Sequence, residues 1–129
     1  MPKYKVYLYE TAAGVKVVEN VLLGLAKSSY ESFNAIQTGL EVLAEYGPDT
    51  GLNKFKRLKY VEGAFALWEL RATARPAYRA LLASVPGEDA FVILHVVPKT
   101  EMERKPQQYI NQALDHYDHW METRENNNE

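Results

Sequence analysis

The 129-residue chain contains no cysteine, which excludes disulfides, zinc–thiolate sites and a cysteine nucleophile. It has no run of 18 apolar residues, so no membrane-spanning helix is expected. No Gly-rich phosphate loop, nucleophile elbow or dinucleotide fingerprint is present. Internal repeats and linker-like stretches are missing as well. The opening Met1-Pro2-Lys3-Tyr4-Lys5 leads into an alternating segment and not an apolar one, so no secretory signal is expected and a cytoplasmic location follows. Nor is there a strong charge of one sign. The formal net charge is −2, which taken alone argues against a nucleic-acid binder. What remains, 47% apolar and 25% charged residues, suits one globular domain with a sizeable core.

The average charge hides a split. Residues 52–105 carry ten basic and six acidic side chains, whereas the rest of the chain carries five basic and eleven acidic ones. A positive middle between acidic segments can form a local anion-binding surface. A solvated mixed-charge surface is the plainer alternative.

Tyr4 to Tyr9 alternates and is rich in β-formers, which predicts a first strand. Val15, Val18, Leu22 and Leu25 then recur at helical spacing within Gly14 to Lys27. Ser28 stands three residues before Glu31, the pattern of a capping box. Phe33, Ile36, Leu40 and Leu43 line one stripe, and Gly47-Pro48 ends that second helix. Four strand-length segments follow at 54–60, 64–73, 77–84 and 90–97, with short turn-like breaks between them. Breaks so short permit only antiparallel pairing. A last helix starts at Pro106, with Ile110, Ala113, Leu114, Tyr117, Trp120 and Met121 as its apolar stripe. The expectation is an α+β domain over residues 1–123, with a disordered polar tail at 124–129.

One hairpin invites chemistry. If the loop between 64–73 and 77–84 has an odd number of residues, Arg71 lies directly opposite Arg79, on the face that also carries Glu69. Trp68, Leu70, Tyr78 and Leu82 then form the core face. Two facing arginines repel each other. Glu69 is a partial remedy and an anionic ligand a fuller one; a surface Arg–Glu network is the structural alternative. His95 sits in an apolar strand, where a core or rim position is the plainer reading. His116 and His119 have i, i+3 spacing but no third ligand is evident, so no metal is expected. Tyr7, Tyr9 and Tyr117 are read as core residues.

The ordered residues Leu67-Trp68-Glu69-Leu70-Arg71, Tyr78-Arg79, Ile93-Leu94-His95, Lys99, Pro106 and Ala113, preceded by the basic stretch Lys54 to Lys59, resemble the phage-related HigB-type toxins. Those belong to the RelE/ParE superfamily of type II toxin–antitoxin systems, and the match spans roughly residues 40–120. The resemblance implies a RelE-like fold, a small antiparallel sheet packed by an N-terminal helical hairpin and a C-terminal helix. It also implies a translation inhibitor that cuts mRNA on the ribosome without a metal or other cofactor, held in check by a cognate helix-turn-helix antitoxin. Carried over by position, Arg71, Arg79 and Lys99 would be catalytic. Lys54, Lys56, Arg57, Lys59, His95, Arg104 and Lys105 would bind RNA, with Lys59 also a candidate base. Where many relatives carry a Lys-Lys pair after the His-containing strand, this chain has Pro98-Lys99-Thr100. Two other readings stay open. One is a ParE-like inhibitor that binds DNA gyrase and cleaves nothing, and the other an inactive relative that only binds RNA or a partner.

Overall fold

A computed structural model describes residues 2–49, 54–58 and 66–127. Among these the chain runs β1 (Lys5–Leu8), α1 (Val17–Ser28), α2 (Tyr30–Tyr46), β2 (Phe55–Arg57), β3 (Leu67–Ala72), β4 (Tyr78–Ser84), β5 (Ala90–Pro98), α3 (Lys99–Arg104) and α4 (Pro106–Asn127). The five strands form one sheet in the order β1-β5-β4-β3-β2. From β2 to β5 each neighbour is antiparallel, as the short breaks require, whereas β1 joins β5 in parallel. That last pairing joins opposite ends of the chain, so local sequence pattern carries no sign of it.

The sheet is covered on both faces. Val6 and Leu8 of β1 lie beneath Leu22 of α1 and Leu40 and Ala44 of α2. Leu70 of β3 meets α2 at Gly39, on the same side. On the opposite side Tyr7 packs against Trp120, and Tyr9 stacks on His116 at 4.3 Å, both partners belonging to α4. This double cover explains why β4 and β5 read as nearly continuous apolar runs: both of their faces are buried.

Several local expectations give way to the structure. Ser28 is the last residue of α1 and its Oγ donates to the Gly24 carbonyl, so it caps nothing; the break falls at Ser29. Helix α1 begins at Val17, which leaves Val15 exposed ahead of it. Residues 124–127, expected to be disordered, are the last turn of α4. Arg124 there pairs with Glu88 at 2.6 Å and lies over the rings of Tyr7 and Trp120, contacts that hold the helix end to the sheet. No helix among the described residues is long and apolar enough to cross a membrane.

Candidate anion-binding cleft

Ala72 pairs with Tyr78, so the β3–β4 loop holds the odd number of residues that sets Arg71 opposite Arg79. Trp68 and Leu70 share the other face with Tyr78 and Leu82, as that register demands. The loop is tied down from α2: Ser32, wholly buried, donates its Oγ to the Pro76 carbonyl and accepts from Ser29 Oγ. Packing on the helical hairpin therefore helps fix the register that pairs the arginines.

Helix α4 crosses the arginine face over β1, β5 and β4 but leaves its β2–β3 side open. There a cleft of about 200 Å³ is lined by Lys56, Leu58, Glu69, Arg71, Arg79, Met102, Glu103, Pro106 and Ile110. Its floor is charged and its outer wall, supplied by α3 and the start of α4, is largely apolar. Glu69 is buried at 6% exposure, and its Oε1 lies 3.1 Å from Arg71 Nε and 3.6 Å from Arg79 Nε. Arg79 is itself 9% exposed and also donates to its neighbouring Tyr78 carbonyl. Arg71 keeps 38% of its side chain exposed. Lys56 stands directly across from Glu69 in the β2–β3 ladder and is exposed. With three cations to two carboxylates, the lining keeps an excess of positive charge.

The other residues singled out from the sequence lie in several places. Lys54 is half-buried just ahead of β2, and its carbonyl accepts from the Arg71 amide. Arg57 pairs across from Trp68, so its side chain belongs to the face opposite the cleft. Lys59 lies outside the described residues. Lys99 opens α3 and pairs with Glu103 at 3.7 Å without lining the cleft. Arg104 grips Glu101 through two bonds of 2.8 Å. Together with the Tyr109 hydroxyl, that grip holds the Glu101 carboxyl below the ordinary carboxylate range. Lys105 is exposed at the α3–α4 junction.

His95 is half-buried under α4, 2.9 Å from Gln112 Oε1, and burial pushes its imidazole below the ordinary range. It does not line the cleft. His116 has a different task. The β4–β5 ladder shifts register after Leu81, leaving Leu94 as the extra residue of a bulge. His116 Nδ1 donates to that residue's carbonyl at 2.8 Å. His119 is exposed, and no group of three His, Asp or Glu side chains among the described residues could hold a metal.

Sequence reasoning did not find α3, and so missed the part of the wall that Met102 supplies. A six-residue helix with the single buried anchor Met102 has too short a pattern for periodicity to detect.

No family model matches the chain, and no curated protein does. Among solved structures it is similar to the archaeal RelE–RelB complex from Pyrococcus horikoshii OT3, with a TM-score of 0.55 and 18% identity over 75% of this chain and 96% of that one. The fold is therefore RelE-like: a helix pair, a mostly antiparallel five-stranded sheet and a C-terminal helix.

Proposed function

We propose that this chain is the toxin of a type II toxin–antitoxin system, of the HigB type within the RelE/ParE superfamily, and that it halts translation by cutting mRNA on the ribosome. The observation that carries this reading is the Arg71–Arg79 pair facing an open cleft on a RelE-like fold. RNA cleavage by an internal 2′-hydroxyl places extra negative charge on phosphorus, and preorganised cations lower that barrier. Arg71 has the exposure to grip a phosphodiester through two N–H groups. Arg79, behind it, adds a fixed positive charge, and Lys56 at the rim draws in the RNA backbone. These parts need no metal. The resident antitoxin would be a small helix-turn-helix protein that lays acidic residues on this surface. The similar archaeal protein, solved as a RelE–RelB complex, supports such a partner. Both proteins would act in the cytoplasm.

A non-cleaving reading, inhibition of DNA gyrase or plain RNA binding, draws support from the burial of Arg79 and from Lys99's pairing with Glu103. Cell-free translation with 5′-end mapping of the mRNA separates the two. The expected result is new cuts that require ribosomes and fall by about a hundredfold in Arg71→Ala, a loss typical of removing one transition-state charge donor. Intact mRNA and undisturbed translation would overturn cleavage and direct attention to gyrase supercoiling.

A further inference from the structure

Glu69 is the only acidic side chain among the described residues that is buried, and strand geometry sets it amid the cations of the cleft floor. Arg71 is two residues on along β3, Lys56 stands across from it on β2, and the wholly buried Leu81 stands across from it on β4. Arg79, two residues before Leu81, is its diagonal neighbour, within reach of a long side chain. Both arginines meet the same carboxylate oxygen through Nε, Arg71 at 3.1 Å and Arg79 at 3.6 Å. The two contacts have different consequences. Arg79 has only 10% of its side chain exposed and donates Nη1 to the Tyr78 carbonyl, so it is built into the floor. Arg71 lines the cleft with 38% of its side chain exposed. A guanidinium grips a phosphate side-on through Nε and one terminal nitrogen, or through both terminal nitrogens. With Nε bonded to Glu69, the second edge is the one left for a ligand. Fixing one end of a flexible side chain thus selects the edge it presents, which is the preorganisation that charge stabilisation needs.

Resting on the ribonuclease reading above, we infer that Glu69 is the positioning residue of the site: buried Arg79 anchors Glu69, and Glu69 holds Arg71 so that its two terminal nitrogens meet the scissile phosphate. Arg71 is then the catalytic member of the three, and Glu69 and Arg79 act through it. Burial supports this division. Glu69 is 6% exposed on a strand paired along both edges, so its carboxylate stays where the fold puts it. The competing role is that of a plain counter-ion, which offsets the arginines' charge and weakens RNA binding. The two roles differ in what matters at Glu69, the place of its oxygen or its charge.

Two variants separate them. Glu69→Gln keeps an acceptor oxygen in place and removes the charge, whereas Glu69→Asp keeps the charge and withdraws it by one methylene. Each is made alone and together with Arg71→Ala. The readouts are single-turnover cleavage of ribosome-bound mRNA and affinity for a short RNA without ribosomes. Glu69→Gln should cut within a few-fold of wild type. Glu69→Asp should be slower by about ten- to a hundredfold, a loss that misplacement of a reacting group by about 1 Å can produce. Beside Arg71→Ala the aspartate should cause no further loss, because its effect passes through Arg71. The reverse order, with Glu69→Asp like wild type and Glu69→Gln altered, identifies a counter-ion and overturns the assignment. An aspartate defect that persists at full size beside Arg71→Ala overturns it too. If Glu69→Gln does not fold, because buried Arg79 has lost its counter-ion, Glu69→Asp with and without Arg71→Ala decides alone. A wild-type protein that cuts no mRNA overturns the ribonuclease reading itself. RNA affinity then carries the decision, expected to fall several-fold in Glu69→Asp and to hold in Glu69→Gln; equal affinity in all three proteins overturns the positioning as well.

Discussion

Ser32 and Gly39 show how single positions on α2 hold the hairpin that carries the arginines. The Ser32 hydroxyl is wholly buried and supplies the donor for the Pro76 carbonyl in the β3–β4 loop. In Ser32→Ala the exposed loop loses that bond and the Ser29 hydroxyl loses its acceptor, and an intramolecular hydrogen bond is worth about 0.5–1.5 kcal/mol net. Urea unfolding should report a loss in that range; an unchanged midpoint would mean that water replaces the hydroxyl. At Gly39 two effects compete. Alanine favours a helix interior by about 1 kcal/mol over glycine. A methyl group there, however, would stand 2.6 and 2.8 Å from the Leu70 methyl carbons. Leu70 is 1% exposed and has little room to turn aside. Overpacking of this kind costs about 1–3 kcal/mol, so Gly39→Ala should be destabilising on balance. Greater stability in the same unfolding measurement would show that Leu70 yields.

The contact between β5 and α4 makes stability depend on pH through His95. Burial holds its folded-state value below the ordinary 6.5, an effect that Gln112 opposes and nearby His116 reinforces. Between that depressed value and 6.5 the unfolded chain binds more protons than the folded one, so stability rises with pH across the window. The contribution is therefore complete above 6.5 and lost as pH falls through the folded value. Melting temperature should drop between neutral and mildly acidic pH, before the carboxylates Glu88 and Glu101 titrate, and His95→Gln should flatten that drop. An equal drop in the variant would place the effect elsewhere. The pattern that made this element legible is the same one that hid its role. Apolar runs and short breaks identify β3, β4 and β5 and their antiparallel order, and loop parity sets Arg71 against Arg79. Helix α3 and the parallel β1–β5 pairing were not legible, one having a single apolar anchor and the other depending on contacts far apart in sequence. The bulge at Leu94 was hidden too, because an extra residue in a run buried on both faces breaks no alternation. As a result the sequence shows His116 only as half of an i, i+3 pair lacking a third ligand, whereas in the fold it satisfies the bulge carbonyl.

Over the whole molecule, charge is sorted more sharply than a net value of −2 suggests. Glu31, Glu41 and Glu45 on α2, and Asp115, Asp118, Glu122 and Glu125 on α4, are exposed on helices that cover the sheet. The cations that reach the cleft are few. Lys56, Arg71 and the buried Arg79 line it, and Lys54, two residues before Lys56, lies on the same side by strand alternation. Lys99 and Arg104 are each engaged by an acidic neighbour in their own helix, and Arg57 belongs to the opposite face. Acidic helix surfaces around a small cationic mouth repel nucleic acid, which gives orientation at the expense of affinity. Three phosphate contacts on a single strand predict a slope of about −2 for log affinity against log salt, since each releases about 0.7 of a counterion. Fluorescence anisotropy of a short labelled RNA across a potassium chloride series measures that slope, and Lys56→Ala should reduce it by about 0.7. A slope of about −4 would require Lys99, Arg104 and Lys105 to join the contact surface. Their ion pairs would then have to open on binding, and the RNA would run along α3 instead of stopping at the cleft.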